Sequence, residues 1–274
     1  MDVATLLATQ VALPSIPRVI ALLLSELGRQ QPDLKRITQL ISTDPVLTAR
    51  LLQFANSGFF KLSQQIHSVS EALAVVGLVH VRAMVVGAAS SSSPKAVPGI
   101  YLPQFWTYSL NVAKVARSLA GVVRQNQQAA FTCGLLHAIG ALTMHAVMPE
   151  QMAALDSELG PFDIKRGKAE IKQFGFCYAQ VSAEFARKWL LPAAMVDALE
   201  HQIAPFANHV YEPLAGVIHL ATWRARAREA ALSEREMAVS FPGMVGEVLA
   251  LDIDMVLQQD PIDWGAQAQG HPLK

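Results

Sequence analysis

The chain has 274 residues, of which 52% are hydrophobic and 16% are charged, so it can bury a large core and lacks the composition of a disordered protein. Lysine plus arginine and aspartate plus glutamate number 22 each, which excludes a global electrostatic attraction to nucleic acid or acidic membranes. The two cysteines are far apart, and no basic region precedes an apolar run at the start. We therefore expect a cytoplasmic protein with neither a disulfide framework nor a signal peptide.

The first third of the chain carries signals for helix starts and stops. Asp44 followed by Pro45 is typical of a capped helix with proline at its first position. Ser68 and Glu71 have the spacing of a capping box, and the helix that they begin is predicted to stop at Gly77.

The next helix, predicted from about Val79 to Ala89, is apolar on nearly every side. Such a pattern predicts a central position in the fold, covered by other helices. Residues 72–89 are the most apolar stretch of the chain, but His80 and Arg82 interrupt it and it barely reaches spanning length. We therefore interpret it as a buried helix and expect no insertion into a membrane.

A break in the pattern separates two predicted lobes. The stretch from Ser90 to Gly99 holds four consecutive serines and two prolines, which is typical of a link. Alternating apolar runs bounded by hairpin turns are missing, so the predicted fold is all-α, a two-lobed helical bundle. The predicted divisions are an amino-terminal lobe over 1–92, a linker over 93–103, a second lobe over 104–257 and a loose tail over 258–274. The second lobe is predicted to hold helices over 105–122 and 129–136, one around 181–189, one that begins at 192 and ends near 201, and one over 212–230.

Histidines are the first candidates for chemistry, because metal sites need several His, Asp, Glu or Cys side chains at one point. His137 has no acidic neighbour on its own turn, and Glu200 points away from His201 because adjacent helical residues face different directions. The chain has no His-x-x-x-His pair, no glycine-rich phosphate loop and no Gly-x-Ser-x-Gly motif. The residues themselves favour core histidines over metal ligands at both positions.

Two other features have ordinary interpretations. Cys133 lies between Phe131 and Leu135, which indicates a buried, unreactive thiol. Arg224, Arg226 and Arg228 form a cluster in which Arg224 and Arg228 share one helix face, and we interpret the cluster as a solvated surface. Contact with nucleic acid is the alternative, and the neutral overall charge argues against it.

Several motifs, in order along the chain, resemble the HDOD domain family. The resemblance covers roughly residues 13–228. In the first lobe it rests on Leu13–Pro17, Ile41–Thr48, Phe54–Phe60, Ser68–Leu73 and Val76–Leu78. In the second lobe it rests on Phe131–Gly140, Phe174–Phe176, Trp189–Pro192 and Ala198–Gln202.

This resemblance implies kinship with the HD superfamily, whose working members are phosphohydrolases. In those enzymes, His and Asp side chains from several helices hold one or two metals, which activate water. Carried over position by position, most ligands are missing here, and the vestigial positions are Tyr108, His137, Ala138, Tyr178, His201, Gln202 and Thr222. Two isolated histidines are too few for the usual site. We therefore predict no catalytic residues, no bound metal and no cofactor.

HDOD domains as a family are described as bacterial signal-transduction output modules, with no general enzymatic activity. The resemblance implies a standalone, non-catalytic regulatory module that binds a signalling protein, or a small ligand in the vestigial pocket. The rival hypothesis is a diverged metal-dependent phosphohydrolase that uses His137 and His201.

The strongest matches in the first lobe are Asp44, Pro45, Asn56 and Ser57. We predict structural roles for them. Asp44 can cap the helix that Pro45 begins, and Asn56 can pair with nearby backbone groups. The alternative is that Asn56 and Ser57 present a surface that binds a partner.

Overall fold

The computed structural model describes residues 2–9, 13–91 and 96–259, and every regular element in those ranges is an α helix. This confirms the all-α prediction. The first lobe contains α1 (Val3–Ala8), α2 (Pro17–Leu27), α3 (Leu34–Ile41), α4 (Pro45–Ala55) and α5 (Val69–Ser91). The second lobe contains α6 (Leu102–Val122), α7 (Gln127–Leu136), α8 (Ile139–Val147), α9 (Pro149–Asp156), α10 (Arg166–Phe174), α11 (Tyr178–Lys188), α12 (Ala193–His201), α13 (Pro213–Glu229), α14 (Glu234–Ser240), α15 (Gly243–Leu249) and α16 (Ile253–Gln258).

Asp44 is the buried cap of α4. Its Oδ1 accepts hydrogen bonds from the backbone N–H groups of Val46 and Leu47, both at 2.9 Å. Its Oδ2 accepts a third, at 2.6 Å, from the N–H of Ile16, which immediately precedes α2. One carboxylate therefore satisfies the free amides at a helix start and also fixes where α2 enters the lobe.

Asn56 holds the loop between α4 and α5 in place. Its Nδ2 donates to the carbonyl of Ile66 at 3.1 Å, and its Oδ1 accepts from the N–H of Ile66 at 2.7 Å. Ser57 donates its hydroxyl to the carbonyl of Phe54 at the end of α4. The side-chain amide of Asn56 thus both donates to and accepts from the backbone of Ile66.

The helix α5 is bent at Gly77, whose φ of 73° and ψ of 161° are accessible only to glycine at low cost. After the bend, Val81 and Val85 face inward and are fully buried. Val79 on the opposite face is 80% exposed and Val86 is 48% exposed. The predicted central position is therefore wrong, because α5 packs against α2, α3 and α4 on one side and nothing described covers its other side.

Two segments, Val69–Ser90 and Gln127–Val147, are long and apolar enough to cross a membrane by length and composition. Neither is one straight helix, since Gly77 bends the first and α7 ends before α8 begins in the second. The second segment lies mostly in the protein interior. Only about one-third of the first segment is buried, because one face of α5 is exposed.

The two lobes share one continuous buried core. The loop before α5 reaches the second lobe twice, because Thr132 donates to the carbonyl of His67 at 2.8 Å and Gln65 donates to that of Leu190 at 3.2 Å. The short α1 packs on α8 and α11, with Leu6 fully buried.

The ends of the predicted linker and tail differ from the structure in small ways. Ser90 and Ser91 belong to α5, and Val97 is buried against the core, so the link is shorter than its serine run indicates. Residue 258 closes α16. The rest of the predicted tail, residues 260–274, lies outside the described residues, and the domain boundaries stay predictions.

Asp44→Ala is expected to lower the free energy of unfolding by about 1–3 kcal/mol, because it leaves buried backbone N–H groups unpaired. Asn56→Ala is expected to lower it by about 1 kcal/mol, because the groups of Ile66 that lose their partner are only half-buried. Asp33→Ala is the matched control, since Asp33 caps α3 in the same way but at an exposed site, and it should cost less. Denaturant unfolding measures all three. If Asn56→Ala kept its full stability yet lost a binding partner, Asn56 would be a recognition residue instead.

Candidate functional site

Three of the seven vestigial positions, Tyr108, His137 and Tyr178, lie together where four helices of the second lobe meet. Tyr108 comes from the middle of α6, His137 from the end of α7, Tyr178 from the start of α11 and Thr222 from α13. The first three side chains are almost completely buried. The fold therefore collects these residues at one point inside the lobe.

The centre of this point is the guanidinium group of Arg226, one turn after Thr222 on α13. Arg226 Nε donates to the hydroxyl of Tyr108 at 3.0 Å, and one of its Nη atoms donates to the hydroxyl of Tyr178 at 3.1 Å. The guanidinium carbon also lies 5.3 Å from the centre of the Tyr178 ring. Although arginine is charged, Arg226 is only 4% exposed, and the two tyrosines supply its polar and aromatic contacts.

His137 extends this hydrogen-bonded chain. Its Nδ1 lies 2.7 Å from the carbonyl of Gly134, which accepts only, so Nδ1 carries the proton. Its Nε2 then accepts from the hydroxyl of Tyr108 at 3.1 Å. Burial lowers the pKa of His137 to about 3, and the nearby charge of Arg226 adds to the effect. At neutral pH the ring is uncharged and both of its nitrogens are occupied.

The backbone of His137 is fixed from the other side. Its carbonyl accepts hydrogen bonds from Ser182 and from the side-chain amide of Gln202, both at 3.0 Å. A methyl group at Gly140 would come within 2.3 Å of the carbonyl of Tyr178, so glycine permits the close approach of α8 and α11. Gln202, at the position of an expected ligand, therefore orients the backbone and leaves the centre to Arg226.

The other vestigial residues lie apart from the Arg226 group. Ala138 follows His137 and has no polar side-chain atom. His201 pairs with Asp197 at 3.2 Å and is partly exposed. Thr222 is buried, and its hydroxyl makes no hydrogen bond to the described residues. The structure thus brings Tyr108, His137 and Tyr178 together and leaves His201 outside.

These residues do not fit a divalent metal of the kind that the HD superfamily implies. A guanidinium cation lies between the hydroxyls of Tyr108 and Tyr178, and a second cation there would meet its repulsion. His137, the histidine at this point, has both ring nitrogens in hydrogen bonds to protein groups. Within residues 2–9, 13–91 and 96–259, no three His, Cys, Asp or Glu side chains are grouped as metal ligands.

A second buried network supports Tyr178. The backbone N–H of Tyr178 donates to Glu170 at 2.8 Å, and the other oxygen of Glu170 accepts from Arg166 at 2.9 Å. Arg166 also donates to Asp156 at 2.6 Å, and Asp156 pairs with His145. Burial raises the pKa of Glu170, while Tyr178 and Arg166 oppose that rise by stabilising the carboxylate. This network fixes the start of α11, which carries Tyr178.

The interpretation of the arginine cluster as a solvated surface is wrong for Arg226 and Arg224, and the central role of Arg226 was not predicted. Arg224 is buried rather than solvated, while Arg228 is exposed as expected. Residues two apart on a helix point about 200° away from each other. If Arg224 and Arg228 mark one face, Arg226 has to point to the other. That spacing was the available signal for an inward arginine.

A groove with a volume of about 450 Å³ lies where the lobes meet on the surface. Its lining combines apolar residues with charged residues of both signs, namely Gln65, Arg187, Leu190, Leu191, Ala193, Val196, Asp197 and Glu200. Leu190 is half-exposed there and has a left-handed backbone with φ of 58°, which is strained for leucine. This concave surface is therefore open to a partner, unlike the buried Arg226 group.

Arg226→Met is expected to destabilise the protein by about 1–3 kcal/mol for each tyrosine hydroxyl that loses its donor. The free energy of unfolding of Arg226→Lys should lie between those of the wild type and Arg226→Met. An ammonium group keeps the charge but lacks the planar set of donors with which the guanidinium reaches both hydroxyls. Denaturant unfolding is the measurement, with Arg235→Met on exposed α14 as the control. Equal stability of Arg226→Met and the wild type would contradict a structural role for this guanidinium.

The chain is similar in sequence or structure to the following three proteins. An uncharacterized protein of Treponema pallidum (strain Nichols) is 26% identical over 217 residues, which are 78% of this chain. The chain spans only 42% of that relative's length. The response regulator MmoQ of Methylococcus capsulatus (fragment 20–298) is 25% identical, with a TM-score of 0.69 over 89% of this chain and 94% of that one. A Shewanella amazonensis structure provisionally described as a phosphohydrolase is 25% identical, with a TM-score of 0.52 over 93% of both chains.

The family comparison covers both lobes of the helical bundle. The HDOD domain matches residues 13–205, which reach from the loop before α2 to the end of α12 and include Tyr108, His137 and Tyr178. Arg226 lies beyond the matched range and completes the site from α13. This chain belongs to the HDOD domain family.

Proposed function

We propose that this protein is a non-catalytic signalling module that acts by binding a protein partner. The observation that carries the proposal is the Arg226 guanidinium, which lies between Tyr108 and Tyr178 among the positions of the superfamily's metal ligands. A guanidinium supplies positive charge but has no open coordination position, so it cannot lower the pKa of a bound water as a metal does. Membership of the HDOD family and similarity to a response regulator support the signalling role.

A protein partner suits the surface better than a small ligand in the vestigial pocket does. The side chains at that point are buried and bonded to one another, so a ligand would have to displace Arg226 or a tyrosine. The groove between the lobes is accessible, and the exposed Leu190 lies in it. We place the partner there.

The second candidate is a diverged phosphohydrolase, favoured by the similarity to the Shewanella structure. It would need His137 and His201 to act together. His201 bonds to Asp197 on its own helix, while His137 bonds to Tyr108, and no hydrogen bond links the two groups in the described part of the chain. The geometry favours the first proposal.

The catalytic question has a direct test with tag-free protein. We expect less than one transition metal in ten chains by elemental analysis, and no turnover of phosphate esters, nucleotides or cyclic dinucleotides with added manganese, iron or magnesium. His137→Ala should have the same low metal content and the same lack of turnover as the wild type. One bound metal per chain that His137→Ala removes, or turnover that His137→Ala or His201→Ala abolishes, would establish the phosphohydrolase instead.

The partner question is tested by capture from lysate of the native cell, followed by mass spectrometry and by titration of the purified partner. Leu190→Asp is expected to weaken binding at least tenfold, because it places a charge among the apolar side chains that line the groove. Its stability should be at least that of the wild type, since aspartate tolerates the left-handed backbone better than leucine.

Val239→Asp is the control, because Val239 is also an exposed apolar residue but lies on α14, outside the groove. It should bind as the wild type does. A partner that binds Leu190→Asp and the wild type equally would remove the groove from the proposal.

A further inference from the structure

His145 has an unusual pair of hydrogen-bond partners. It lies in the last turn of α8 and is only 1% exposed. Its Nδ1 is 2.7 Å from the carbonyl oxygen of Ala141, and its Nε2 is 3.2 Å from Oδ2 of Asp156 at the end of α9. A carbonyl and an ionised carboxylate can only accept hydrogen bonds. Both ring nitrogens of His145 therefore face acceptors.

Only a doubly protonated ring satisfies two acceptors at once. A neutral imidazole carries one proton, so one of its nitrogens would point a lone pair at an oxygen. His137 shows the contrast, because the hydroxyl of Tyr108 can donate to its Nε2 and the neutral ring is then fully paired. The geometry around His145 is thus that of an imidazolium cation.

The surrounding charges fit a protonated His145. The other oxygen of Asp156 accepts from Arg166 at 2.6 Å, and the guanidinium charge favours the ionised carboxylate. Arg166 also pairs with Glu170 at 2.9 Å. These four side chains alternate in sign, and their charges cancel while the histidine is protonated. Loss of that proton leaves the group with one uncompensated negative charge.

The helices α1, α9 and α11 pack against α8, so their ionisable groups also bear on His145. The helix α1 has none. Apart from Asp156, those of α9 and α11 are exposed or bonded to other groups, and they are Glu150, Tyr178, Glu184, Arg187 and Lys188. Within the described residues, Asp156 is therefore the charged side chain that pairs with His145.

The pair of His145 and Asp156 lies directly against the chain that joins the two lobes. Residues 96–101, which we call the interlobe segment, lead into α6, and two buried apolar residues anchor them in the core. A methyl group at Gly99 would come within 2.8 Å of Oδ2 of Asp156 and 3.1 Å of the His145 ring. Gly99 has a φ of 77°, so the segment turns at this contact. A movement of the Asp156 carboxylate therefore reaches the backbone of Gly99.

Loss of the proton favours such a movement. The lone pair of a neutral Nε2 would face the negative Oδ2 of Asp156, and the two groups would repel each other. His145 is enclosed and keeps its bond to Ala141 through Nδ1, whereas Asp156 is 17% exposed and can turn toward water. The carboxylate is therefore the group that moves, away from its position against Gly99.

We propose that His145 is a proton-controlled latch for the interlobe segment. The protonated ring holds Asp156 against Gly99, and the neutral ring releases it. Proton concentration is then an input that acts where the lobes join. The proposal depends neither on the catalytic question nor on the groove.

Histidine-selective NMR of the full chain tests the protonation. The ¹⁵N shifts of the two ring nitrogens distinguish the cation from the neutral ring, and the signal that disappears in His145→Gln is that of His145. We expect the cation at about pH 5.5 and a neutral ring, with its proton on Nδ1, at about pH 8.5. A ring that is neutral at the acid end, or still cationic at the alkaline end, would overturn the latch.

Hydrogen exchange over the same pH range tests the release. The reporter is the amide of Ile100, which donates to the carbonyl of Val97 at 3.1 Å within the interlobe segment. After correction for the intrinsic rate, this amide should exchange at least tenfold faster once His145 is neutral, with the midpoint of the NMR titration. An amide whose protection does not change at that midpoint is not held by His145, and the proposal would then be wrong.

His145→Gln supplies a donor without a titratable proton. Its side-chain amide can donate to Asp156 at every pH, so the amide of Ile100 should stay protected across the range. His209→Gln is the control, because His209 is exposed and lies outside this network, and it should keep the wild-type pH dependence. A release that persists in His145→Gln would assign the proton to another group. The two wild-type midpoints decide the question even if His145→Gln fails to fold.

Discussion

The second lobe depends on one buried cation. Arg226 carries a full charge in a nearly water-free site, and its direct hydrogen bonds are to two tyrosine hydroxyls, from α6 and α11. An uncompensated buried charge is costly, so these helices have to keep the positions that satisfy it. The carboxylate of Glu170, one step away through the backbone of Tyr178, adds a favourable field. The packing of four helices is thus coupled to the geometry of one guanidinium.

This cation gives the centre of the lobe a positive charge that belongs to the protein itself. In the superfamily a metal draws side chains from several helices to one point. Here an arginine side chain supplies positive charge at the corresponding point, and tyrosine hydroxyls accept its hydrogen bonds. The centre thus links helices through the hydrogen bonds of a guanidinium, where the superfamily uses metal coordination. Under the proposed non-catalytic role, loss of catalysis and retention of structure would follow from the same substitution of groups.

Local signals in the sequence predicted local structure well. The caps at Asp44 and Ser68 and the break at Gly77 depend on residues that are close in sequence. A short sequence pattern is therefore enough to predict them. The outward face of α5 was not predictable in this way, because an apolar helix looks the same whether its own chain or another chain covers it. The burial of Arg226 and its two tyrosine partners were not predicted, for a related reason. Its partners, Tyr108 and Tyr178, lie 118 and 48 residues away, and no local pattern records such a pairing.

A satisfied buried network has a consequence for how such a module can signal. The chain of bonds from Arg226 through Tyr108 to His137 exists in one arrangement of the helices, and any other arrangement leaves buried donors unpaired. The interior of the second lobe is therefore a poor place for a ligand-driven rearrangement. Recognition is left to surfaces that such a rigid core holds in shape. The groove at Leu190 is one such surface, since its lining is accessible and shares no residue with the Arg226 group.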